Sequence, residues 1–284
     1  MSATSNAADQ PQRPVLFVNP RSGGGKAAHA GLVDRAHQRG IDTIVLHAGD
    51  DLAALVRGAV NAGADMLGVA GGDGSLAIVA AEAVAHGLPF VCIPAGTRNH
   101  FALDLGVDRH DLVGALEAFT DGVERRVDVA EVNGRLFLNN VSLGIYGDAV
   151  WQPGYREAKA RTLLETAAQV LGPSAAAPNV DVVDDLGHTH RDPAVVLVSN
   201  NPYSLEPPHA PGTRPTLDSG QLGIIVLHSP RAHHGPGRTW TATQVEVTAP
   251  VPLDAGVDGE PVELTPPLRF VLKPGALRVR VSRP

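Results

Sequence analysis

A single cysteine, Cys92, stands in this chain of 284 residues, so no internal disulfide can form, and the count agrees with a reducing compartment. It lies in an apolar run, where inert packing is expected rather than a reactive thiol. No stretch approaches the roughly 20 consecutive apolar residues needed to cross a bilayer. A basic excess is also missing: 23 Lys and Arg face 30 Asp and Glu, for a net charge of −7, and no local basic patch invites nucleic acid. Met1 to Arg13 has neither a basic start nor an apolar core, so it reads as a loose tail rather than a secretory signal. These absences point to a cytoplasmic protein with no nucleic-acid partner. With 43% hydrophobic and 19% charged residues the chain is globular, and its length calls for two domains.

Glycine turns organise the first half. Pro14 to Val18 is a short apolar strand closed by Asn19-Pro20 and followed by Arg21-Ser22-Gly23-Gly24-Gly25-Lys26. Pro20 stands where a Walker A loop would begin with Gly, and Ala27 replaces its magnesium-holding Ser or Thr. The turn can still offer backbone N–H groups, with Ser22 and Lys26 as further donors, or serve only as a flexible strand-to-helix connection. A helix from Ala27 to Arg39, a strand from Ile41 to Leu46 and a helix from Leu52 to Ala62 follow. The strand Met66 to Ala70 then runs into Gly71-Gly72-Asp73-Gly74-Ser75 and a helix from Leu76 to Ala85. After the strand Pro89 to Pro94 comes a third turn, Ala95-Gly96-Thr97-Arg98-Asn99-His100. Alternating strands and helices predict a parallel, doubly wound α/β sheet with ligands at the carboxyl ends of its strands.

Glycine-rich turns that open onto helices suit phosphate, because bare amides and the positive helix end converge there. Asp73 sharpens the picture. A carboxylate beside bound phosphates repels them unless it shares a cation or clamps its own loop, so Mg²⁺ or a structural bond is expected at Asp73.

Asn19-Pro20-Arg21-Ser22-Gly23, Gly71-Gly72-Asp73-Gly74-Ser75 and Pro94-Ala95-Gly96-Thr97-Arg98-Asn99-His100-Phe101-Ala102, taken in this order, resemble the diacylglycerol kinase catalytic-domain family, which includes bacterial soluble lipid kinases and the sphingosine and ceramide kinases. The resemblance implies ATP and Mg²⁺ as cofactors. It implies nucleotide contacts at Asn19, Pro20, Ser22, Gly23, Lys26, Gly71, Gly72, Asp73, Gly74, Ser75, Gly96, Thr97 and Asn99. Two positions depart from the family pattern: Ser75 replaces Thr and keeps the hydroxyl, while His100 replaces an Asp and removes a carboxylate. His100 either supplies a neutral hydrogen-bonding group there or only caps the following turn.

The pattern changes near Asp128, after a helix expected over Leu112 to Phe119. An α/β nucleotide-binding domain is expected over 14–128 and a mainly antiparallel β-sandwich over 129–284, beginning with a hairpin at Asn133-Gly134. Tyr155 to Leu171 reads as a helix with a basic start, and Asn201 to Pro215 as a long surface loop. Later strands are expected at Val180 to Val183, Ala194 to Ser199, Gly223 to Leu227, Gln244 to Thr248, Leu268 to Leu272 and Leu277 to Val281. His188, His190, His233 and His234 have no zinc-ligand spacing and read as exposed loop residues.

Here the resemblance adds two elements. Asp218-Ser219-Gly220 corresponds to a magnesium-holding Asp-Asp-Gly or Asn-Asp-Gly turn, with Asp218 as the remaining metal-ligand candidate beside Asp73. Asp258-Gly259-Glu260 corresponds to the catalytic turn, and a carboxylate presented there to the first-domain loops would take the proton of the attacking hydroxyl. Asp258 and Glu260 both qualify, because a turn can aim either one inward; Glu260 ranks first. The implied activity is ATP- and Mg-dependent phosphoryl transfer to a hydroxyl of a lipid or lipid-like acceptor. Transient membrane contact and a homodimer are compatible with it. A small-molecule kinase of the NAD kinase type and a nucleotide sensor with little catalysis are the alternatives.

Overall fold

The computed structural model describes residues 11–144, 179–204, 213–228 and 237–283. It divides into two compact units, Met1–Arg126 with Leu277–Pro284, and Val127–Ala276. The helix expected from Tyr155 to Leu171, most of the loop after Ser204, and His233 and His234 lie outside the described residues.

In the first unit, β1 (Pro14–Val18), β2 (Asp42–Val45), β3 (Met66–Ala70) and β4 (Phe90–Ile93) form a parallel array in the order β2-β1-β3-β4. β1, β3 and β4 are buried at every position, which explains their unbroken apolar sequences. The order reverses between β1 and β3, so the crevice at their carboxyl ends is the switch point where open α/β sheets bind ligands. Helix α3 (Leu52–Asn61) starts on Asp51, whose side chain accepts from Ala54 N–H at 3.0 Å; it packs with α4 (Asp73–His86). Leu16, Val18, Met66, Ala70, Val91 and Ile93 form another core with Ala27, Leu32, Ala36, Leu116 and Phe119.

The helix expected from Ala27 to Arg39 is two short ones, α1 (Lys26–His29) and α2 (Leu32–His37). Gly31 adopts a left-handed conformation (φ 58°) between them and ends the first. Similarly, Leu112 to Phe119 holds only a 3₁₀ turn, Gly114–Leu116, and α6 (Glu117–Thr120), after α5 (His100–Asp104). Their role is to carry Phe119 onto β3. A Cβ added to Gly68 would lie 2.3 Å from the Phe119 ring, so the ring occupies the space that a side chain would need. Gly68→Ala is therefore expected to destabilise the protein by about 1–3 kcal/mol. Denaturant unfolding measures this, and adding Phe119→Leu should return part of the loss.

The second unit is built from antiparallel pairs. β7 (Asn140–Gly144), β10 (Val195–Asn200), β11 (Leu222–Leu227), β12 (Gly237–Ala242), β14 (Leu253–Val257) and β15 (Glu260–Leu264) make a sheet ordered β12-β11-β10-β7-β14-β15. Opposite it stand β8 (Asp181–Asp184), β9 (Thr189–Arg191), β13 (Gln244–Thr248) and the first part of β16 (Leu268–Ser282), with the hairpin of β5 (Gly122–Val132) and β6 (Arg135–Phe137). Val141, Val196, Ile224 and Ala255 from one layer share a core with Val182, Val247, Phe137 and Phe270 from the other, which makes a sandwich.

Two strands were expected where β16 is one. Lys273-Pro274-Gly275 looks like turn chemistry, but Gly275 N–H donates to Asp128 Oδ1 at 2.8 Å and the strand continues. As a result residues 277–284, expected in the β-rich domain, belong to the first unit, where Val279 and Arg280 pair in parallel with Phe90 and Val91.

Candidate active site

All three glycine turns of the first unit follow adjacent parallel strands, and their backbones interlock. Asn19 N–H donates to Ala70 O at 2.9 Å, tying the end of β1 to the end of β3, while Asn19 Oδ1 accepts from Arg21 N–H at 3.1 Å. Gly23 is left-handed (φ 57°), and a Cβ there would meet Ala95 O at 2.4 Å. At Gly96 a Cβ would lie 2.6 Å from Gly72 Cα and 3.1 Å from Gly71 O. Glycine is thus required where one turn's backbone rests on the next. The sequence places these turns at one crevice; the fold sets Gly23 against Ala95 and Gly96, and Gly96 against Gly71 and Gly72.

Side chains fix the third turn. Asn99, fully buried and left-handed (φ 55°), donates through Nδ2 to Pro94 O and to Gly96 O, both at 3.0 Å. Lys26 Nζ donates to the same Gly96 O at 3.1 Å. Both had been expected as nucleotide contacts, yet both hold protein backbone. Thr97 is exposed beside them, and so is His100 at the start of α5.

Helix α4 begins at Asp73 with Gly72 as its N-cap, which has no side chain to cap that end, and the positive end of the helix suits an anion. Gly74 and Ser75, half-buried, complete its first turn. Asp73 itself lies near Cys92: burial pushes the Cys92 thiol far up, and the charge of Asp73 adds to that shift. This thiol stays protonated, consistent with an inert packing role.

The candidate acids of the second unit differ sharply from one another. Asp258 and Gly259 form a tight hairpin turn between β14 and β15, both with positive φ (49° and 82°). The Asp258 carboxylate accepts from the N–H groups of Leu138, Asn139 and Asn140 at 2.8, 2.7 and 3.1 Å, and its own N–H donates to Asn140 O at 2.9 Å. Glu260, by contrast, is exposed.

Behind the Asp258 turn lies a buried polar network that sequence reasoning missed. Arg214, 3% exposed, donates to Leu138 O at 2.5 Å, Asn200 O at 2.9 Å and Asn139 Oδ1 at 2.7 Å. Asn200 Nδ2 bridges Asp128 O and Leu138 O at 2.9 and 3.1 Å, and Asn140 Nδ2 reaches Tyr203 Oη at 2.9 Å. Apart from Arg214 and Asn200, 14 residues apart, these partners lie some sixty or more residues apart along the chain, and no local motif announces them.

Asp218 is exposed and bonded to the Thr216 hydroxyl. Ser219 donates its N–H and hydroxyl to Asn201 Oδ1 at 2.8 and 2.6 Å, and Gly220 N–H donates to Asp128 Oδ2 at 2.8 Å. Among the described residues no three His, Cys, Asp or Glu side chains gather as a metal site. Magnesium, however, is commonly held by one or two carboxylates together with substrate phosphates. Asp73, at the start of α4, and Asp218, which accepts from the Thr216 hydroxyl, each offer a carboxylate of that kind, and a hydrogen-bonded carboxylate can still ligate a metal. Of the histidines expected in loops, His188 pairs with Asp184 at 3.0 Å, but His190 lies in β9 and stacks on Trp240 with ring centroids 4.2 Å apart. No helix among the described residues is long and apolar enough to cross a membrane.

Comparison with known proteins agrees with this geometry. Residues 13–132 match the family model of the diacylglycerol kinase catalytic domain. A probable YegS-like lipid kinase of Pseudomonas aeruginosa is 28% identical over 290 residues, covering 94% of this chain and 93% of its own. A Bacillus subtilis diacylglycerol kinase is 33% identical over 135 residues, 45% of this chain and 44% of that one. A crystal structure of a Bacillus anthracis diacylglycerol kinase superposes with a TM-score of 0.69 at 20% identity, covering 96% of this chain and 98% of that one, which establishes the shared fold. The three interlocked turns lie inside the matched segment, so residues 13–132 are similar to the diacylglycerol kinase catalytic domain in sequence, and the chain shares its fold with a solved diacylglycerol kinase.

Proposed function

We propose that this protein transfers the γ-phosphoryl group of ATP, taken as its magnesium complex, to a hydroxyl of a lipid or lipid-like acceptor. Similarity to lipid and diacylglycerol kinases supports the coarse activity, a kinase acting on a lipid-type hydroxyl. The observation that carries the nucleotide is the interlock of Gly23, Gly96 and Gly72 at the carboxyl ends of β1, β3 and β4. It gathers backbone amides and the start of α4 at the switch point, where phosphates are held without long side chains. Magnesium, when bound, would neutralise charge on the transferring phosphoryl group, and Asp73 would hold it.

Glu260 is the side chain to which we assign removal of the acceptor's proton. Asp258, two residues earlier, spends both carboxylate oxygens on backbone amides and so positions the turn. Phosphoryl transfer asks little covalent work of the protein, so alignment and electrostatics dominate. On this assignment Glu260→Gln is expected to lower kcat on the order of 10²-fold or more while ATP affinity stays within about twofold. Equal losses in both would contradict the base role.

The decisive assay incubates purified protein with Mg-ATP and vesicles or micelles carrying diacylglycerol, a sphingoid base or a polyprenol, and measures ADP release. Acceptor-dependent release is expected with at least one of them. Tight nucleotide binding without any such release would favour a nucleotide sensor, and release dependent on NAD would favour the NAD kinase reading. Transient contact with a membrane surface and a homodimeric state, both compatible with the sequence, are tested by vesicle flotation and light scattering.

A further inference from the structure

We infer that Lys26 and Asn99 are positioning residues that aim the Thr97 amide, rather than ligands of the nucleotide. This rests on the nucleotide reading above. Gly96 O is the meeting point: Lys26 Nζ reaches it at 3.1 Å and Asn99 Nδ2 at 3.0 Å. A carbonyl oxygen has two lone pairs, so these donors saturate it. The peptide joining Gly96 to Thr97 is planar and trans, which places the Thr97 N–H on the side opposite the carbonyl. Two donors gripping the oxygen therefore fix where the N–H points, away from Lys26 and Asn99. They also polarise the peptide, because one donor is a cation, and hydrogen bonds in series strengthen one another.

Thr97 is exposed, and its N–H makes no hydrogen bond among the described residues. The first turn stands against the same peptide, because a Cβ at Gly23 would lie 3.0 Å from Gly96 O, and the second stands against Gly96 itself, whose Cβ would lie 2.6 Å from Gly72 Cα. A fixed amide beside the start of α4 is a preorganised donor for a phosphate oxygen, and preorganisation is what makes such donors effective. Lys26 supplies its charge through the peptide, one bond removed from the ligand. The buried Asn99 Oδ1, without a partner among the described residues, agrees with a residue placed for its Nδ2 contacts and its left-handed backbone.

The test compares wild type with Lys26→Met, Lys26→Gln and Asn99→Gly, the last keeping the left-handed conformation accessible. Amide hydrogen exchange across 94–98 is read in the ligand-free protein, and ADP affinity and the KM for ATP are measured in parallel. Lys26→Met is expected to raise exchange at Thr97 at least tenfold without ligand and to raise the KM for ATP, leaving the acceptor's KM unchanged. Lys26→Gln, which retains a donor, should recover part of both effects. The double variant Lys26→Met/Asn99→Gly should lose less than the combined single losses, because both act on one carbonyl. Unchanged exchange in ligand-free Lys26→Met together with weakened ADP binding would overturn the inference and make Lys26 a direct phosphate ligand. Failure of wild type to bind ADP would instead remove the nucleotide reading, while the ligand-free exchange result would still report on the clamp.

Discussion

Asp73→Asn is expected to reduce turnover on the order of 10²–10³-fold while the protein remains folded. The side chain opens α4 at the second glycine turn, half-exposed, next to the helix end where phosphates are expected. A carboxylate at this place is costly for ATP binding unless a cation lies between them or the side chain clamps its own loop; on the proposed magnesium role its value comes from holding that cation. The substitution keeps shape and removes charge. Metal-free ADP should then bind the variant at least as tightly as wild type, because a repulsion has gone, whereas the gain in affinity on adding Mg²⁺ should shrink. The charge lost near the helix N-terminus is worth about 0.3–1 kcal/mol, and denaturant unfolding of the variant separates any folding loss from lost turnover. Wild-type kcat in this variant would remove Asp73 from the mechanism. On the proposed magnesium role Asp73 takes on added weight, since His100 and Ser219 stand where the family pattern has acids.

The turns were legible in the sequence because their physics is local. A buried strand, a run of glycines and a helix start each leave a mark within ten residues, and the alternation of such units dictates a parallel sheet. What the pattern could not convey is which backbone rests on which. Gly96 and Gly72 look like ordinary turn residues until the fold sets one Cα against the other. Lys26 is 70 residues from the carbonyl to which it donates, a contact that the turn alone does not show. Errors in the elements have the same origin. Pro274 and Gly275 carry a local turn signal that pairing in β16 overrides, while Gly31 broke a helix whose apolar spacing looked continuous. The Arg214 network left no trace, because buried polar groups are satisfied by distant carbonyls rather than by neighbours in sequence.

Asp258 and Glu260 are expected to fail in different ways, and the contrast tests the assignment of the catalytic turn. Asp258→Asn keeps one acceptor oxygen but turns an NH₂ group toward amides that need acceptors; Leu138 and Asn139, two of the three donors, belong to buried residues. Hydrogen bonds to a charged group and the penalty for stranded donors together set a loss of about 2–4 kcal/mol, read as a lower denaturant midpoint of the β-rich unit. Activity in Asp258→Asn should fall because the turn before Glu260 loosens, and it should recover partially at low temperature or in stabilising osmolyte, where the folded turn is favoured. Glu260→Gln changes an exposed side chain and should leave the midpoint almost unmoved, yet no osmolyte should restore its kcat. A stable Asp258→Asn protein with kcat lost beyond rescue would transfer the base role to Asp258, since only a proton acceptor is missed chemically without being missed structurally.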